Sequence, residues 1–243
     1  MVDEWYDEMS GHGHIKDGQY TNGNMTVQRF CDPDHIANCR DHLFLDEADA
    51  AMIATHGSDS SDHWAGTMRW PWSGHCALDA GGSSHDLHVG DLDLEFIHLS
   101  SCFSADDDNL NGIRFAMTDP VDRGHAHQWD GFHGIMWIGG SFDNDYEDFA
   151  DDAHAVAMAT AWVTNHHHNN SVDCEPYDPW NWFGTCQDQC PVAYAIGSTE
   201  SDALTRLNYE RYNNVYSDPN GHNWYAYMYM AGCDPVGETT FNP

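Results

Sequence analysis

The chain has 243 residues, of which 41% are hydrophobic and 13% aromatic, so it is no low-complexity polymer and is long enough to bury a core. With 40 acidic residues against 8 lysines and arginines, the formal charge is −32. Such a surface repels nucleic acid and anionic membranes, and no apolar run approaches the ~20 residues of a membrane span.

Aspartate supplies most of the acid, and Lys16 is the only lysine. A surface of this kind repels itself, a penalty that fades near 1 M salt, where the Debye length is about 3 Å. The composition therefore resembles that of a halophile's protein, with an acidic, calcium-loaded secreted protein as the alternative. The start, Met1-Val2-Asp3-Glu4-Trp5, has neither the basic nor the apolar region of a signal peptide. It suits a protein that stays inside the cell or the mature form of an exported one. Eight cysteines, at 31, 39, 76, 102, 174, 186, 190 and 233, are compatible with disulfides and an oxidising compartment. Location at the exterior or surface of a halophilic prokaryote is the expectation, with the cytoplasm as the alternative. Plausible pairs are Cys31 with Cys39, and two among the last four cysteines. A free Cys102 leaves one more thiol unpaired, and Cys76 is the choice.

In chain order, 1–24 form an N-terminal extension, and 25–30 read as a strand. Asp32-Pro33-Asp34 open a short helix carrying Ile36, Cys39 and Leu43. Residues 50–55 form a continuous apolar strand of the kind covered on both faces. Residues 63–80 alternate as a hairpin around Pro71 and Gly74. Buried strands follow at 94–99 and 132–138. A long helix spans 147–164, with Phe149, Ala153, Val156 and Ala157 on one stripe. A cysteine-containing insertion occupies 169–190. A strand at 192–196, a helix at 198–212 and an aromatic strand at 224–230 complete a single α/β domain around a mainly parallel sheet flanked by helices and long loops.

The chemistry is sought where two apolar strands stop. "IATHGS" ends its run at His56-Gly57, and "LEFIHLSSC" ends its run at Ser101-Cys102. Ligands of open parallel sheets bind beyond the carboxyl ends of the strands. If the two strands are neighbours, both side chains enter one crevice. A Cys–His pair is the minimum for thiol catalysis, the imidazole taking the thiol proton or holding the thiolate. Gly57, without a Cβ, lets a backbone N–H approach a developing oxyanion. Read singly, a strand-end cysteine is more often a small buried hydrophobe, and His-Gly is a common turn.

These two strand ends resemble the caspase/gingipain/legumain group of cysteine peptidases over about residues 25–140. "IATHGS", "GDLDLEFIHLSSC" and "WDGFHGIMWIGG" are similar to a prokaryotic caspase-like family of unknown function, and a weaker likeness continues through "AWVTN" and "DPNG". The resemblance implies a caspase-like open sheet with His56 as general base, Cys102 as nucleophile and Gly57 in the oxyanion hole. It implies hydrolysis or transfer of peptide bonds through a Cys102 thioester, on a peptide or protein substrate and with no cofactor needed for the chemistry. The arginines that hold an acidic side chain in caspases have few counterparts: Arg69, Arg114 and Arg123 are the ones near the motifs. The alternative is a catalytically silent subunit of an extracellular or surface assembly, a homo-oligomer or filament.

Calcium is a further candidate ligand. Asp107, Asn109 and Asn111, followed by Gly112, have the alternation of a calcium loop, but Thr118 stands where the bidentate Glu belongs. The bland reading is an exposed acidic loop. "SFDNDYED" is explained by helix capping without a metal. The pairs His12/His14 and His125/His127 and the triplet His166-His167-His168 are transition-metal candidates, although consecutive histidines point in different directions. His133, in "GFHG", is expected to satisfy a core hydrogen bond, with orientation of a site loop as the alternative.

Overall fold

The computed structural model describes residues 1–59, 62–72, 74–81, 86–118, 124–168, 189–231 and 233. Five strands form the central sheet: β1 (Ala50–Ala54), β5 (Phe96–Ser100), β6 (Gln128–His133), β7 (Cys190–Gly197) and β8 (Trp224–Tyr229). Their spatial order is β1-β5-β6-β7-β8. The first two pairings are parallel and the last two antiparallel. The sheet is therefore mixed, with its parallel half at the β1 edge, rather than mainly parallel. A second, antiparallel sheet of β2 (Gly57–Asp59), β3 (Trp64–Trp72) and β4 (His75–Ala80) follows directly from β1.

Helices α1 (Val2–Gly11), α3 (Asp143–Ala155), α4 (Met158–Asn165) and α5 (Glu200–Tyr209) cover one face of the central sheet. Helix α2 (Leu110–Met117), the second sheet and the loop closed by the Cys31–Cys39 disulfide cover the other. Strand β5 has the pattern this layering requires. Phe96 and His98 face the helices, while Ile97 and Leu99 face the second sheet, and all five residues of the strand are buried. Each fully buried large apolar side chain contributes about 1.5–3 kcal/mol.

Two polar chains cross this core. His98 Nδ1 lies 2.8 Å from Asp130 Oδ2, with both residues fully buried, and Tyr212 Oη lies 2.7 Å from His98 Nε2. Trp5 Nε1 donates to the same Tyr212 oxygen at 3.2 Å, which ties α1 to the sheet. His127 Nδ1 lies 2.8 Å from Glu210 Oε1, again with both residues buried. The cost of burying these groups is offset only because they are paired.

Several sequence readings are corrected. Residues 25–30 are not a strand: Val27–Arg29 form a 3-10 turn, whose spacing is what puts Val27 and Phe30 together in the core. The segment from Asp32 is a series of turns rather than a helix, with a separate 3-10 turn at Asp41–Leu43. β1 is an edge strand, largely half-buried, not a strand covered on both faces. The strand expected at 132–138 lies at Gln128–His133. The long helix at 147–164 is two helices, broken where Val156 adopts extended dihedrals. Helix α1 was not anticipated within the N-terminal extension. The hairpin and the strands at 192–196 and 224–230 stand within two residues of expectation. So does the start of the 198–212 helix, though α5 ends three residues early. Most of the insertion at 169–190, including Cys174 and Cys186, lies outside the described residues. Cys190 is bonded to Cys233, and Cys76 and Cys102 are free. Among the described residues, no helix is long and apolar enough to cross a membrane.

Candidate active site

β1 and β5 run parallel in the register Ala54↔Ser100. Beyond that last pair, the Thr55 N–H donates to the Ser100 carbonyl at 3.2 Å. His56 and Cys102 each stand two residues past a paired strand end, on the same side of the sheet's rim. The next residue locks the two chains together. A Cβ built on Gly57 would lie 2.1 Å from the Cys102 carbonyl oxygen, 2.3 Å from Ser101 Oγ and 2.7 Å from Trp64 Nε1. Only glycine permits this approach, so Gly57 is required by packing whatever its N–H does.

His56 is solvent-exposed, and its carbonyl accepts from Thr67 N at 2.8 Å. Its backbone thus sits where the central sheet hands over to the second sheet. Trp64, fully buried on β3, donates its indole N–H to Ser101 Oγ at 3.1 Å. The second sheet is thereby pinned to the turn that carries the cysteine.

That turn is tightly held. Phe103, directly after Cys102, has φ +58°, a left-handed conformation unusual for a non-glycine residue. Its N–H donates to Gly134 O at 2.6 Å. Ser104 Oγ donates to the carbonyls of Ser101 and Leu99 and accepts from Phe132 N at 3.1 Å. Strain of this kind persists where the surroundings over-determine it, and it clusters at functional sites. The half-buried Cys102 sulfur lies 3.7 Å from Met136 O and accepts from Met136 N at 3.4 Å.

His133, at the end of β6, faces the same turn. Its Nδ1 is 3.1 Å from Asp106 Oδ2 and its Nε2 is 3.3 Å from Asp107 Oδ1. Burial alone would raise the Asp106 carboxyl. The His133 imidazole and the N–H groups of Asp108 and Gly134 outweigh it and hold that carboxyl below the usual range. His133 therefore ties the loop after β6 to the turn after β5, the orienting role rather than a plain core hydrogen bond. Sequence reading missed Trp64, Ser101, Phe103, Asp106 and Met136 as parts of this site. The signal was long-range throughout, because each acts through a partner far along the chain or through its backbone.

The calcium candidates are placed differently from an extended binding loop. Asp107 and Asn109 lie on a 3-10 turn, and Asn111 is exposed in the first turn of α2. Asn109 is buried and donates to Phe103 O at 3.0 Å, so it supports the cysteine turn. Asp106, Asp107 and His133 do converge closely enough to hold an ion. Among the histidines, His12 lies 3.0 Å from Asp151, and His14 Nε2 lies 2.9 Å from His154 Nε2. His166 is buried against Trp162 and Tyr146, and burial pushes it down to about 3, while His168 pairs with Asp145 at 2.6 Å. The triplet diverges and makes no single site.

Fold and site together define a mixed α/β protein whose parallel strand ends carry a histidine and a free cysteine at matched positions. The chain belongs to the family described as domain of unknown function DUF6345, whose model matches residues 2–232. No curated protein matches the chain. No solved structure matches it.

Proposed function

We propose that the protein is a caspase-like cysteine peptidase, cleaving or transferring peptide bonds through a Cys102 thioester. One observation carries this reading: His56 and Cys102 occupy matched positions past adjacent parallel strands in the register Ala54↔Ser100, with Gly57 seated on the Cys102 carbonyl. In this mechanism His56 takes the thiol proton as Cys102 Sγ bonds to the substrate carbonyl carbon. The Gly57 N–H offers a hydrogen bond to the resulting oxyanion. Collapse breaks the C–N bond, and His56 returns the proton to the leaving amine. Water, or an acceptor amine in transfer, then displaces the thiolate from the thioester. The strained turn at Phe103 and the hold of Met136 supply the fixed geometry that such chemistry needs.

A second reading, a catalytically silent subunit of an extracellular assembly, is favoured by the two backbone contacts of Met136 to the thiol, which a structural cysteine also makes. The disulfides support an oxidising location, and the charge of −32 supports a requirement for salt.

Turnover of an unbiased peptide library in molar NaCl separates the two. Cys102→Ala and His56→Ala should each abolish cleavage, with the double variant no worse, since the pair acts as a unit. Absence of cleavage by wild type, together with loss of the fold in Cys102→Ala, would establish the structural reading instead.

A further inference from the structure

On the face of the sheet opposite the helices, two segments far apart in sequence bring Asp32, His35 and His88 together. One donor atom from each lies within 4.8 Å of the other two. Asp32 and His88 are fully buried, while His35 is exposed at the rim. His35 Nε2 stands 3.6 Å from Asp32 Oδ2. Donors around a tetrahedral ion at about 2.0–2.1 Å are roughly 3.3 Å apart. Completing the set requires the rim histidine, His35, to turn its ring so that its nitrogen and that of His88 face one point.

The supports behind these donors are in place. Asp34 N donates to Asp32 Oδ1 at 2.7 Å, which fixes the carboxylate and leaves Oδ2 toward His35. Asp86 Oδ2 lies 3.9 Å from His35 Nδ1, too far for a hydrogen bond but on the side from which an outer-shell carboxylate approaches a ligating imidazole. The rings of His35 and His88 stack at 4.0 Å with an interplanar angle of 18°, an arrangement one ion cannot bridge, so ligation turns the exposed His35 ring out of the stack; Phe115 of α2 packs edge-on against both. The backbone is pinned as well. Asp32 N donates to Asp86 O at 3.1 Å, and the Cys31–Cys39 disulfide closes the loop that carries Asp32 and His35. Two carboxylates beside two imidazoles supply the negative charge that one dication neutralises, and imidazole selects zinc-type ions over calcium.

We propose that Asp32, His35 and His88 bind a zinc-type divalent transition-metal ion, with Asp86 behind His35, clamping the disulfide loop to the segment that leads into β5. This site is separate from the Cys102 rim and does not depend on the peptidase reading.

The test uses the full chain, stripped with a chelator and titrated with Zn²⁺ in competition with a chromophoric chelator. Wild type should take up one tightly held ion per chain. His35→Asn should weaken that binding at least about tenfold. A His12→Asn/His14→Asn double variant, which removes the surface histidines, should leave it unchanged. Zn²⁺ should also protect His35 of the wild-type chain from diethyl pyrocarbonate, as mapped by mass spectrometry, a readout that needs no variant to fold. Wild-type affinity in His35→Asn, loss of the tight ion in the double variant, or unprotected His35 would each overturn the assignment. Equal, His35-dependent uptake of Ca²⁺ would overturn it too.

Discussion

The Thr55 N–H donates to the Ser100 carbonyl at 3.2 Å, the last rung between β1 and β5. Everything proposed for the site extends from that rung, because it brings the chain ends that carry His56 and Cys102 to the same rim. Gly57 then reaches the Cys102 carbonyl, where any side chain would collide.

Gly57→Ala is therefore expected to force the end of β1 away from the cysteine turn. The clash is with backbone, so it cannot be relieved by a rotamer change. Overpacking of this kind costs about 1–3 kcal/mol. Urea unfolding should show a lower midpoint with an unchanged slope, and peptide turnover should be lost. A variant with wild-type midpoint and wild-type turnover would mean that the rim is looser than described.

Tyr212→Phe removes the hydroxyl shared by His98 Nε2 and Trp5 Nε1. It leaves buried polar atoms unpaired, at a cost of about 1–3 kcal/mol. The expected outcome is a lower melting temperature with Cys102 reactivity intact, since this chain lies under the helices. Equal loss of both would indicate that the network also positions the turn.

Glu95 is pushed up to about 8, first by burial and then by the nearby Asp49 carboxylate. An acid raised in the fold binds its proton more tightly there than in the unfolded chain. Its stabilising contribution is complete below the unfolded value near 4.5 and is lost as pH rises toward about 8. The slope from one such group cannot exceed about 1.4 kcal/mol per pH unit. Glu95→Gln should flatten the decline of stability between about pH 5 and about pH 8. Thermal unfolding across that range checks it, and an unaltered slope would place the titration elsewhere.

With a net charge of −32, the melting temperature should climb as NaCl is raised toward molar concentrations. A melting temperature indifferent to salt would give the acidic surface another purpose. A rise on micromolar Ca²⁺ alone would direct attention to Asp106, Asp107 and His133, which do converge.

The apolar strands, and the adjacent ends that carry His56 and Cys102, were legible in the sequence because each is a local pattern with an abrupt end. What was lost depends on long-range partners. β6 was placed too late because its first half carries Gln128 and Asp130, which look exposed until His98 is seen beside them. Helix α1 was missed although Trp5 and Met9 have helical spacing, since the acidic residues around them mask the apolar stripe within the N-terminal extension. The antiparallel arrival of β7 could not be read from its own residues, which suit either direction. Likewise, nothing local links Asp32 and His35 with His88, more than fifty positions away.

The central claim, that Cys102 is a nucleophile assisted by His56, is tested most directly by labelling with a thiol-reactive peptide electrophile in high salt. The site of modification and its rate are read by mass spectrometry. Cys102 should be modified well ahead of the exposed Cys76, and His56→Ala should slow that modification about 100-fold or more near neutral pH. Modification of Cys76 with Cys102 left inert, or a Cys102 rate indifferent to His56→Ala, would contradict it.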